Sequence, residues 1–425
     1  MTMMRRLSLF VVVTALLVAG AVWLAERPGQ AVIHWLGWKI TAPVPLVLGG
    51  LLALLLLGTL ALRVFRAVLA TPGRWLAARR ARRTRDGYRA LSDGLAAVAA
   101  GDGRGARRLA RRADKLLADS SLTGLLTAQA ATLSGDAAEA ENRLSAMVER
   151  PETALLGLKG LMDQALLRHD HAAALDYARR AWALGGPAVG LAATLFDLQA
   201  RAGHWAEAAA TLDEAKKRDA LSGGTLARFR ALTLLERSRG ERDPVLARDL
   251  AIAAHRADPG FVAAAAQAAL ALHRADKPRK AASLLLTTWR IAPHPDLVEA
   301  WLALAPAETP LQRVKRLDKL VKANPDAADG HVALAEAALA VKLWGLARSH
   351  LERALEQRPT TGLYVLLARL EREERGDEHA ATAWMAKTAA APVEPAWICA
   401  TCAKPTDRWQ VTCPHCGAVD SLEWK

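Results

Sequence analysis

Two long apolar runs open the chain, at residues 7–25 and 40–62, and neither contains a charged side chain. About 20 apolar residues cross ~30 Å of hydrocarbon, so each run predicts a spanning helix. Pro43 and Pro45 move the start of the second helix inward, giving membrane helices at about 7–25 and 44–62. A cleaved signal peptide competes for the first run, with Arg5 and Arg6 as its basic end. Its apolar stretch exceeds the usual ~7–15 residues, which favours a retained helix. Past Tyr88 the pattern changes. Leu144, Met147 and Val148 fall on one helical face, as do Leu191, Leu195 and Leu198. Alanine stands where two helices must approach closely, as at Ala206, Ala208 and Ala209 after Trp205.

This second region repeats. Turn-like pairs occur at Gly101-Asp102, Gly135-Asp136, His169-Asp170 and Gly203-His204, each 34 residues after the one before. The spacing loosens near Gly240 and Asp276 and returns with Lys342 and Gly376-Asp377. Pro151, Pro187, Pro259, Pro293, Pro325 and Pro359 mark the ends of the second helices, where a residue without an N–H stops the ladder. A 34-residue unit of two helices is the tetratricopeptide period. About nine hairpins fit between Asp86 and Ala390, and stacking them creates a groove suited to segments of other proteins. The expected fold is therefore all-α. A membrane anchor at 1–70 leads through a basic juxtamembrane linker at 71–90 to tetratricopeptide-like repeats at 91–390. A small metal ribbon at 396–425 ends the chain.

Composition agrees. Aromatic residues are 5% of the chain, with three Tyr and five Phe, which disfavours a β-sandwich or barrel. The net charge of +14 is concentrated beyond the second apolar run. There Arg63, Arg66, Arg74, Arg79, Arg80, Arg82, Arg83, Arg85 and Arg89 face one acid, Asp86, whereas the loop at 26–39 holds only Arg27 and Lys39 as bases. Lys and Arg mark the cytoplasmic side, so both termini are expected in the cytoplasm of a multi-pass inner-membrane protein. Anionic lipid is the expected partner of the Arg63–Arg89 cluster. Nucleic acid is not, because only Trp75 and Tyr88 interleave these arginines and no nucleic-acid motif surrounds them.

All four cysteines lie after residue 398, as Cys399-Ala-Thr-Cys402 and Cys413-Pro-His-Cys416. Each C-x-x-C pair presents two thiolates from a tight turn, and four thiolates satisfy tetrahedral zinc. Cys399, Cys402, Cys413 and Cys416 are the expected ligands of a structural zinc. Iron in a rubredoxin-like site is the minor alternative, and a redox pair or haem-responsive Cys-Pro motif a further one. Gly417 suits the positive φ after the second knuckle, and Ala403 stands where the first knuckle commonly has Gly. Neither pair precedes a His, which excludes c-type haem attachment. His415 reads as solvated, and Trp397, Trp409 and Trp424 as the cover of a small core.

No nucleophile elbow, H-E-x-x-H or phosphate loop occurs. His169 and His171 sit at a repeat turn. Glu371, Glu373 and Glu374 with Arg372 and Arg375 read as a solvated helix face. Trp182, Trp205, Trp289, Trp301, Trp344 and Trp384 read as helix-packing residues. A non-enzymatic protein is expected.

Residues 94–102 (GLAAVAAGD), 106–113 (ARRLARRA), 125–131 (LLTAQAA), 154–161 (ALLGLKGL) and 35–40 (WLGWKI) resemble the HemY family. These are membrane-anchored tetratricopeptide proteins encoded with haem-biosynthesis genes. The resemblance implies a scaffold or regulator of late haem or porphyrin synthesis, with haem-pathway enzymes as partners; it does not say whether porphyrin is bound directly. The name is shared by an unrelated flavin-dependent oxidase, from which the chain departs, since Gly101–Gly105 follows a helix and lacks the dinucleotide spacing. The architecture also resembles an envelope-biogenesis adaptor, the lipopolysaccharide assembly protein that delivers an enzyme to a membrane protease. That protein has one membrane helix, where two are expected here.

Overall fold

The computed structural model describes residues 29–35, 38–117, 120–185 and 190–425, with 12, 15, 16, 18–20, 22 and 23 of the first apolar run. The membrane helix expected at 7–25 thus lies largely outside the described residues, as does Pro187. The chain divides into two compact units, 1–140 and 141–425, with the boundary inside a helix.

The first unit begins with an antiparallel hairpin, β1 (Gln30–Trp35) and β2 (Trp38–Pro43), which pairs Gln30 with Pro43 and Trp35 with Trp38. Reading 26–39 as a plain loop missed it: Val32, Ile33, Ile40 and Thr41 are β-branched and occupy facing registers. Pro43 then caps α1 (Val44–Ala99), with Pro45 in the first turn, where its missing N–H costs nothing. The segment Leu46–Arg66 of α1 has a mean hydropathy of 2.2, is not buried, and is long and apolar enough to cross a membrane. The stretch 71–90, expected as a linker, is helical and part of the same α1. The end of α1 packs on α2 (Gly103–Leu116) and α3 (Ser120–Leu133) around Ala90, Leu91, Ala110, Ala113 and Leu126. The unit ends within α4 (Ala137–Val148).

The second unit is a tetratricopeptide-like stack of helix pairs. After α4 come α5 (Ala154–Leu167) with α6 (His171–Ala183), and α7 (Leu191–Arg201) with α8 (Trp205–Lys217). Then follow α9 (Gly223–Gly240) with α10 (Pro244–Ala257), and α11 (Val262–Arg274) with α12 (Pro278–Ile291). The stack closes with α13 (Pro295–Ala303) and α14 (Pro310–Ala323), α15 (Ala328–Ala340) and α16 (Trp344–Gln357), and α17 (Thr361–Arg375) and α18 (Glu378–Lys387). The repeating turn positions have one physical identity. Gly101, Gly135, His169, Gly203, Asp276, Lys342 and Gly376 all have φ between 55 and 76°, the left-handed conformation that reverses the chain after a first helix. Asp102, Asp170 and Asp377 follow as N-caps, each accepting a backbone N–H of the next helix.

Alanine lets the helices close up. Ala208, Ala231, Ala254 and Ala264 are fully buried, and a Cβ on Gly157 would come 2.7 Å from the backbone oxygen of Leu144. Trp289 and Trp301 are core residues, their indole N–H groups donating to the carbonyls of Leu320 and Arg316. The charge run of α17 is not uniformly solvated, which corrects the sequence reading. Glu371 is only 6% exposed and accepts two bonds from Arg348, at 2.6 and 3.1 Å. Glu374 joins them at 2.5 Å from Arg348. A carboxylate can be buried there because a guanidinium from α16 satisfies both its oxygens.

Candidate metal centre and the face it occupies

The C-terminal tail is a three-stranded antiparallel ribbon in the order β4 (Pro405–Thr406), β3 (Trp397–Cys399), β5 (Leu422–Trp424). The chain turns back after each cysteine pair. The Ala403 N–H donates to the Cys399 carbonyl at 2.8 Å, and the Gly417 N–H to the Cys413 carbonyl at 2.8 Å. Both turn residues are left-handed, with φ 58° at Ala403 and 70° at Gly417. The first knuckle thus reaches the required geometry with a Cβ in place, at a cost of roughly 1 kcal/mol.

The knuckles bring together the four sulfurs singled out by the sequence. The Sγ atoms of Cys399, Cys402, Cys413 and Cys416 all lie within 4.8 Å of one another. Cys399 is 3.7 Å from Cys416, and Cys402 is 3.8 Å from Cys413. Four sulfurs at ~2.3 Å from a tetrahedral ion would stand ~3.8 Å apart, so the donor set fits such a site. The Ser421 hydroxyl, 3.3 Å from Cys399, holds that thiol down to about 5. The Ala418 N–H favours the Cys416 thiolate, but burial and the neighbouring sulfurs outweigh it and push Cys416 up to about 11. A cation among the sulfurs would relieve this competition for protons. His415 is exposed, as expected.

Sequence reasoning missed where the ribbon sits. It lies against α9 and the turns that lead into α11 and α13. Trp409 meets Phe261 edge-on with ring centroids 4.9 Å apart. Trp397 stacks on His294 at 4.8 Å, and Trp424 contacts the same imidazole at 4.4 Å. Arg228 of α9 grips Asp420 through Nε at 2.8 Å and Nη2 at 2.6 Å, and reaches Asp258 at 3.1 Å. Trp397, Cys399, Trp409, Val411, Cys413 and Leu422 share one apolar cluster with Phe196, Leu212, Leu232, Leu235 and Phe261. The three tryptophans therefore cover a joint core with the repeats, and the ribbon occupies part of the repeat face. The only available signal was the aromatic content of so short a tail.

Helix pairs with left-handed turns at a 34-residue spacing, closed by a four-cysteine ribbon, define a tetratricopeptide-like repeat protein. Residues 29–135 match the family model "HemY protein N-terminus". Over 433 residues the chain is 30% identical to a Magnetospirillum gryphiswaldense protein described as "Probable magnetosome protein Mms48", covering 99% of this chain and 94% of that one. The chain belongs to the family of that protein, and its N-terminal part is HemY-like. Among solved structures, a tetratricopeptide repeat protein from Parabacteroides merdae is 15% identical over 56% of this chain and 93% of its own, with a TM-score of 0.30. The TPR2AB-domain:pHSP90 complex of yeast Sti1 is 13% identical over 71% and 98%, with a TM-score of 0.26. MamA of strain MSR-1 is 16% identical over 47% and 93%, with a TM-score of 0.21.

Proposed function

We propose that this protein is a non-enzymatic, membrane-anchored scaffold whose repeats hold other proteins beside the inner membrane. The observation that carries the reading is α1: one unbroken helix runs from the apolar segment Leu46–Arg66 into the first repeat. The anchor and the first repeat share this helix, so the start of the interaction module is held close to the bilayer. The arginine excess beyond the apolar segment supports a cytoplasmic repeat body, with a second span at 7–25 completing a multi-pass topology. Arg63 and Arg66 adjoin the apolar segment and suit anionic headgroups.

Cys399, Cys402, Cys413 and Cys416 would hold one zinc. Bound there, the ion supplies folding free energy to a tail whose own apolar core is too small to fold unaided. The chain's part is to fix the two knuckles and seat the ribbon through Arg228, Phe261 and His294. Iron is the alternative occupant of the same four sulfurs.

The HemY-like N-terminal part makes enzymes of late haem or porphyrin synthesis the first partners to seek. The magnetosome name of the relative instead favours a role in organising a specialised membrane. Crosslinking in native membranes, followed by affinity purification and mass spectrometry, tests the haem reading. Ferrochelatase or another porphyrin enzyme crosslinked to the repeats supports the haem reading. A protease together with a lipid A enzyme would replace it with the envelope-biogenesis adaptor.

A further inference from the structure

The first unit carries an open cavity of about 800 Å3 lined mainly by bases, with Leu116 and Ser134 completing the wall. Arg104, Arg107, Arg108, Arg111, Arg112 and Lys115 line it, against the single carboxylate of Asp86. In α2 these bases follow one another at three- and four-residue steps, so they form one stripe ~16 Å long on one face of the helix. Like charges at this spacing repel, and an isolated helix is destabilised by every such pair. Of these bases, Arg107 alone is neutralised among the described residues, by Asp136 at 2.6 Å and by Glu139. Arg104, Arg108, Arg111, Arg112 and Lys115 are exposed or at the cavity wall and form no ion pair among the described residues.

The membrane is an unsuitable counter-charge, on the reading that Leu46–Arg66 spans it. Asp86 lies 20 residues past Arg66 in the same helix, ~30 Å along the axis, and still ~23 Å above the bilayer at a tilt of about 40°. Headgroups add ~5–8 Å beyond the hydrocarbon, and screening removes most attraction over another ~8 Å. The upper arginines and the cavity are out of reach of lipid charge. The chain itself shows what fits them: Asp136 and Glu139, an i,i+3 pair at the start of α4, seat together on Arg107.

The geometry points to this cavity as a docking site for an acidic segment of a partner protein, with carboxylates at helical spacing engaging Arg104, Arg108, Arg111, Arg112 and Lys115. It rests on the membrane-anchored reading only for its distance from lipid.

The test uses the full chain in nanodiscs of phosphatidylcholine and a fluorescent 20-residue poly-L-glutamate as the probe. Saturable one-to-one binding is expected, weakened at least tenfold by Arg108→Glu with Arg111→Glu and preserved in Arg80→Glu with Arg82→Glu. Unchanged helical content by circular dichroism should separate loss of the site from unfolding; Arg108→Gln with Arg111→Gln provides a milder pair. Equal losses in both reversed pairs would reduce the site to diffuse charge and overturn it. So would a preference for phosphatidylglycerol nanodiscs or for a single-stranded oligonucleotide that the cavity variants abolish. A chain that purified without inserting into nanodiscs would refute the anchor, and poly-glutamate selectivity would still be read on the soluble protein.

Discussion

Arg228 and Asp420 stand 192 residues apart, yet the guanidinium meets both carboxylate oxygens of the aspartate at 2.8 and 2.6 Å. This pair joins the ribbon to the repeat stack, with Asp258 as a third member. Truncating Arg228 to Ala leaves two partly buried carboxylates facing each other and should cost about 1–3 kcal/mol. Hydrogen exchange would show faster opening at 396–425 than in the parent, while bound metal is retained.

Acid should loosen the same contact through His294. Its side chain is 4% exposed, and its Nδ1 accepts the Asp296 backbone N–H at 3.0 Å, which requires the neutral ring. Burial pushes its pKa down to about 4, with Asp329 and Arg358 acting in opposite senses. The folded pKa lies below the unfolded one, so the unfolded chain takes up the proton first. Stability is whole above about pH 6.5 and is lost as pH falls toward 4, by on the order of 3 kcal/mol. Asp296, raised by burial, contributes the opposite slope in the carboxylate range. Denaturation midpoints at pH 7 and pH 5 should differ, and His294→Phe should flatten the difference.

Ala403 gives a prediction of the reverse sign. Its φ of 58° suits glycine, so Ala403→Gly should raise the ribbon's stability by about 0.5–1 kcal/mol. An unchanged or lowered resistance to chelator would show that the alanine methyl packs usefully.

In the repeats, Ala208 is fully buried in the cluster with Leu212 and Leu232. Ala208→Leu should overpack it and cost about 1–3 kcal/mol, measured by denaturant titration.

The repeat phase was legible because backbone reversal and residue choice coincide at single positions such as Gly101, Gly135 and Gly376. The cysteine cluster was legible because ligand spacing is local. What sequence concealed is long-range. Nothing periodic connects Arg228 to Asp420, or His294 to Trp424. The run around Glu371 looked solvated because charge spacing says nothing of the Arg348 that α16 brings over it. The hairpin Gln30–Pro43 was hidden by its brevity between two apolar runs.

The ribbon's joint core with α7–α11 also changes what metal loss should do. The tail is not an independent appendage, so its unfolding would expose Phe196 and Phe261 of the repeats. The decisive measurement is the metal content of the purified full chain by elemental analysis, with limited proteolysis before and after chelation. One equivalent of zinc per chain is expected, with cleavage at 396–425 appearing only after chelation and stoichiometric metal lost in Cys413→Ser. A chain free of metal whose tail nonetheless resists proteolysis would contradict a metal-built ribbon, and one equivalent of iron would replace zinc as its occupant.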